Sequence, residues 1–186
     1  DGTINKDHYW WLRYEWGNLL PVCKECNAYK SNRFPIQSAR APIGTFDKQI
    51  LEQEQPLLIH PTQEDPEELL LYNSKGFVYS NVKRAEVTID IVGLNRSSLV
   101  EQRVNAYNEL KHQWSTIVDY YSRIREDQTL DSRLMLEQAI SFIKHQIQHK
   151  IEFSGLKRYF IRVWLGKNPI LKKYLISKEP ILEQLF

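Results

Sequence analysis

The chain has 186 residues, a formal net charge of +2, and 42% hydrophobic against 26% charged side chains. That balance excludes a disordered chain, which would lack the apolar surface to fold. It also excludes a globally basic nucleic-acid binder, so any phosphate site must be a local patch. The length suits one domain or two small ones.

The opening DGTINKD carries no Met and no structural start signal. It reads as the middle of a loop, so a segment before Asp1 is expected. Residues 7–22 (DHYWWLRYEWGNLLPV) form an aromatic run ending at a short apolar stretch and Pro21. Such a run suits a strand or a short helix, and periodicity alone does not decide between them. Residues 37–86 contain Pro42, Gly44, Pro56, Pro61, Pro66 and Gly76, which exclude long helices. Short strands are expected at Gly76–Ser80 and at Glu86–Val92, where Val87, Ile89 and Ile91 alternate with Thr88 and Asp90.

After Gly93 the pattern becomes helical. Ser98 and Glu101 fit a capping box. Val100, Val104, Tyr107, Trp114, Ile117, Tyr121 and Ile124 then form one apolar stripe. A second helix is expected from about Ser132 to Ile151, with Asp131 as N-cap and Leu136, Ile140, Ile143 and Ile147 as its stripe. A third should run from an N-cap at Ser154 to Leu165, ended by Gly166 and Pro169. The fold class expected is α+β, with a mostly helical C-terminal half. The organisation divides into 1–36, 37–95 and 96–186.

Two cysteines, Cys23 and Cys26, are too few for a secreted disulfide scaffold. No apolar run approaches ~20 residues, and no signal peptide is legible. A cytoplasmic location without a membrane partner is expected.

The chemistry concentrates in Asn18–Lys30 (NLLPVCKECNAYK). Cys23-Lys24-Glu25-Cys26 places two thiolates where they converge on one tetrahedral zinc. A redox pair or an unmetallated turn are the alternatives, and structural zinc is preferred over both. His8, His60, His112, His145 and His149 show no second-pair spacing, so the remaining ligands are expected before Asp1. Lys30 and Arg33 suit neighbouring phosphates as well as they suit a solvated basic turn.

Several features carry weaker signals. His60 sits beside Glu64, Asp65, Glu67 and Glu68, best read as a turn with a solvated acidic face. His145 and His149 stand four apart on one predicted helix face and read as exposed polar residues. Trp10, Trp11 and Trp16 suit a core or partner surface better than base stacking. The cations Lys157, Arg158, Arg162, Lys167, Lys172 and Lys173 suit a phosphate track or a solvated face.

Asn, then CxxC, then Asn and Lys resembles the second half of an HNH nuclease motif. The longer segments YWWLRYEWGNLLPVCKECNAYKSNRFP, EQPLLIHPTQEDPEE and VTIDIVGLNRSSLVEQR are similar to HNH endonucleases of the PtuB group. These belong to Septu and retron-associated antiphage defence and work beside a PtuA-like ABC-type ATPase. The resemblance implies a partial ββα-metal (HNH) core at the N-terminus. It implies Asn18 as the residue orienting the general base and Asn27 as a metal ligand, an HNN variant of HNH. It implies Cys23 and Cys26 as ligands of structural zinc, and a catalytic divalent ion, Mg²⁺, which a neutral oxygen ligand suits. The substrate would be DNA or RNA. The base is expected before Asp1, in preference to His8, whose spacing to Asn18 is short. A zinc-stapled non-catalytic adaptor is the rival reading, with an aromatic and helical partner surface.

Overall fold

The computed structural model describes residues 9–127 and 130–186. The chain forms two compact units. The first comprises residues 1–69 and 79–94, and the second residues 70–78 and 95–186.

In the first unit the aromatic run adopts two 3-10 turns, Trp10–Leu12 and Trp16–Asn18. Three short helices follow, α1 (Lys24–Lys30), α2 (Lys48–Glu52) and α3 (Pro66–Leu69), then α4 (Lys83–Ile91). The proline spacing therefore does exclude long helices in this region. The strand expected at Glu86–Val92 is instead most of α4. Its β-branched residues also satisfy a helical repeat, because Ala85 and Ile89 stand four apart and are both buried. Thr88 spans the turn by donating from Oγ1 to the Arg84 carbonyl (2.9 Å).

Of the ββα-metal unit that the resemblance implies, no strand precedes α1 among the described residues. The backbone groups of 9–18 close local turns instead, such as Leu12 N to Tyr9 O and Asn18 N to Glu15 O. The expected HNH core thus has no strand counterpart in residues 9–23.

The strand expected at Gly76–Ser80 is present as β2 (Val78–Tyr79), which pairs with β1 (Leu71–Tyr72) in a two-stranded sheet. The second unit is otherwise helical: α5 (Ser97–Asp127), α6 (Leu130–Gln146), α7 (Ser154–Lys167), α8 (Pro169–Lys178) and a terminal 3-10 segment, Pro180–Leu185. The predicted stripe of α5 is present. Arg103, Leu110, Trp114 and Ile117 are buried, with Val100, Val104, Tyr107, Tyr121 and Ile124 half-buried in the same rows. Leu136, Ile140, Ile143 and Ile147 face the same core. Ser98 and Asp131 lie inside their helices and do not cap them.

Helix α6 ends at Gln146, so His149 falls in the turn beyond it and stands against Arg158. The expected His pair on one helix face does not form. Gly166 does not end α7, which continues to Lys167, and Ser154 is its first residue, with Phe153 at the cap. Pro169 opens α8 at the first helical position, where its missing N–H costs nothing. No described helix is long and apolar enough to cross a membrane.

Candidate nuclease half-site

Helix α1 collects four of the residues singled out in the sequence. Cys23 caps it, and the Cys26 backbone N–H donates to Cys23 Sγ (3.3 Å). Cys23 is exposed and Cys26 half-buried. Asn27 is exposed on the next turn, with its N–H donating to the Cys23 carbonyl (3.0 Å). Lys30 is half-buried, and burial lowers its pKa below the ordinary lysine value.

Arg33 lies just past the helix and is exposed, yet its guanidinium is engaged with protein. It donates to the Tyr29 carbonyl and to the Ile91 carbonyl at the end of α4 (2.8 Å). The Tyr29 ring packs over Gly93, where a Cβ would sit 2.5 Å from Tyr29 Cδ1. Glycine at 93 (φ +61°) and Arg33 together dock α1 on α4.

Asn18 occupies a separate place. It ends the second 3-10 turn, and its Nδ2 donates to the Leu12 carbonyl (3.1 Å). This closes the aromatic loop on itself. None of the hydrogen bonds among the described residues joins Asn18 to Asn27. Asp7 and His8 lie outside the described residues.

The framework behind these residues rests on Glu54, Tyr9, Arg40 and Trp11, whose partners are distant in sequence. Glu54 is 2% exposed. Its carboxylate accepts from Tyr9 OH (2.7 Å) and from the Ala41 N–H (2.6 Å). Arg40 Nη1 in turn donates to Tyr9 OH (2.8 Å). Burial, then the bond to Glu54, pushes the Tyr9 hydroxyl up to about 12. Trp11, also buried, donates from Nε1 to the Thr45 carbonyl (2.8 Å). The aromatic loop is therefore anchored at its base by Tyr9 and Trp11.

Glu64 corrects the reading of a solvated acidic face. It receives both guanidinium nitrogens of Arg84 (2.8 and 3.1 Å), while Arg84 also donates to the carbonyls of Pro56 and Leu58. That fork fastens residues 56–64 to α4. Nothing in the pattern EQEQP or LIHPTQE marks these carboxylates as internal, since their partners are distant in sequence.

The chemistry of the donor set fits zinc in part. Cys23 and Cys26 supply half of a tetrahedral set. Among the described residues, no three His, Cys, Asp or Glu side chains gather into a metal-holding group.

Comparison with known proteins places this arrangement. No family model and no solved structure matches the chain. The chain is 35% identical over 188 residues to the Septu protein PtuA of Bacillus mycoides (strain KBAB4), covering 98% of this chain and 23% of that protein. It is 30% identical over 124 residues to the Septu protein PtuB of the same strain, covering 63% of this chain and 40% of that protein.

The chain is homologous to Septu proteins. It spans about a quarter of the PtuA relative and two fifths of the PtuB relative. The match to PtuA is longer and at higher identity, so the expected PtuB group is not singled out within Septu. The Septu relation itself matches the resemblance carried by Asn18–Lys30.

Proposed function

We propose that this segment is part of a Septu antiphage nuclease module that hydrolyses phosphodiester bonds with a divalent metal ion, in the cytoplasm and beside an ABC-type ATPase. The observation that carries it is the Cys23–Cys26 turn capping a helix that presents Asn27 and Lys30 beyond it. In this reading Cys23 and Cys26 hold structural zinc with ligands from outside the described residues. Asn27 ligates a catalytic ion, Mg²⁺, which when bound would stabilise charge on the scissile phosphate. Asn18 orients a base located before Asp1 or, less favoured, His8. Lys30, at the end of α1, and Arg33, just past it, would meet neighbouring phosphates.

The test uses the complete Septu protein with its partner, assayed for nicking of DNA and RNA with and without Mg²⁺. Asn27→Ala should abolish cleavage, and unchanged cleavage would remove Asn27 from the metal site. Cys23→Ser should lose zinc and unfold its turn, and a variant that keeps full zinc content refutes the ligand assignment.

A second reading is a zinc-stapled adaptor without catalysis that binds a partner protein. It is favoured by the near-complete match of this chain to a stretch of a much longer protein named PtuA. Absence of cleavage in any metal, with partner binding lost in Cys23→Ser, is its expected outcome.

A further inference from the structure

The aromatic loop presents its rings in an unusual way. Tyr9 and Trp11 are tied inward by Glu54 and Thr45. Their neighbours Trp10, Tyr14 and Trp16 are 60%, 79% and 87% exposed. Large aromatics left in water at this density mark an interaction surface.

Chemistry selects the occupant. Tyr14 and Trp16 alternate in sequence with Arg13 and Glu15 and are followed by Gly17 and Asn18. The Arg13 guanidinium carbon stands 4.8 Å from the Tyr14 ring centroid. Across residues 9–33, Arg13, Lys24, Lys30 and Arg33 outnumber Glu15 and Glu25 by two, which is the whole formal excess of the chain. Protein interfaces centre on contiguous apolar contacts depleted of charge. Exposed rings with a cation against them, as Arg13 stands against Tyr14, are the composition of surfaces that take unpaired nucleotides, where bases stack and phosphates meet the cation.

Rigidity supports the same occupant. Two successive 3-10 turns and the Asn18 bond to Leu12 fix the loop, so the rings are held in place before binding. Trp16 and Asn18 share one turn.

We infer that Trp10, Tyr14 and Trp16 form a stacking platform for unpaired nucleotides, which makes single-stranded or locally opened nucleic acid the substrate of this module. The inference rests on the nuclease reading for its consequence but is measured by binding. The complete protein is titrated with fluorescein-labelled poly(dT), poly(rU) and a blunt duplex of equal length, the first two separating deoxyribose from ribose strands. Single strands should bind more tightly than duplex. Trp16→Ala and Trp10→Ala should each weaken single-strand binding about five- to a hundred-fold, and Trp16→Phe should restore most of it, with melting temperature unchanged. Equal affinity in all variants overturns the platform. So does loss of partner-protein binding in Trp16→Ala with oligonucleotide affinity intact. Trp-dependent binding without cleavage sinks the nuclease reading alone, whereas cleavage with Trp-independent affinity sinks the platform alone.

Discussion

Replacing Glu54 by Leu tests how far its buried carboxylate holds the first unit together. The substitution keeps side-chain volume near constant and deletes two acceptors. The Ala41 N–H is 6% exposed at its residue and cannot turn to water, so its orphaning costs about 1–3 kcal/mol. Tyr9 OH keeps Arg40 as a neighbour and has partial access to solvent, so its lost bond costs about 0.5–1.5 kcal/mol. The total is about 1.5–4.5 kcal/mol. In a unit of this size each kcal/mol moves the melting temperature by roughly 4–8 °C. Glu54→Gln keeps an acceptor for Ala41 and should lose less than half as much. Urea unfolding followed by tryptophan emission reads the change, because Trp10, Trp11 and Trp16 all sit on the loop that Glu54 anchors. A loss under about 0.5 kcal/mol for Glu54→Leu would show that the clamp is incidental and that the loop is held by Trp11 alone.

Two further outcomes follow from the same geometry. Gly76→Ala should destabilise the second unit by about 2 kcal/mol or more, since φ is +79° and the new Cβ would press on the Val100 carbonyl, which is backbone of α5 and cannot yield; a thermal melt within ~0.5 kcal/mol of the parent refutes it. For pH, the Tyr9 hydroxyl is raised from 10 to about 12 in the fold, so the neutral form is the one the fold favours. Its contribution is fully present below pH 10 and is lost as pH climbs from 10 toward 12. Tyr9→Phe should flatten that part of the stability–pH curve, and an unchanged slope contradicts the assignment.

The residues of the half-site were legible because their signals are local. A CxxC turn, its following Asn and a Lys within one helical turn are separated by a few positions, and α1 brings them onto one short helix. The second unit was legible for a related reason. A stripe repeated over α5 and α6 averages many side chains, so an error at a cap, such as Ser98 or Asp131, does not disturb the whole. Short elements lacked that averaging. Val87, Ile89 and Ile91 satisfied a strand period and a helix period together, and burial of Ala85 and Ile89 on one face decided for the helix.

By itself the sequence determined the kinship with Septu proteins, the thiol pair, the absence of long helices across residues 37–86 and the apolar stripes after Gly93, since all of these are written in neighbouring residues. Only the tertiary structure decided that Glu54 and Glu64 are clamps and not solvated charges, and that Trp11 is buried while Trp10 and Trp16 are not. It also turned Lys157, Arg158 and Arg162 away from a phosphate track. Lys157 Nζ donates to Gln146, Arg158 to the Ile147 carbonyl and Arg162 to the Leu185 carbonyl. The physical reason is common to all of them. Whether a charged or aromatic side chain faces water depends on partners tens of residues away, and a buried charge is tolerated only where those partners satisfy it.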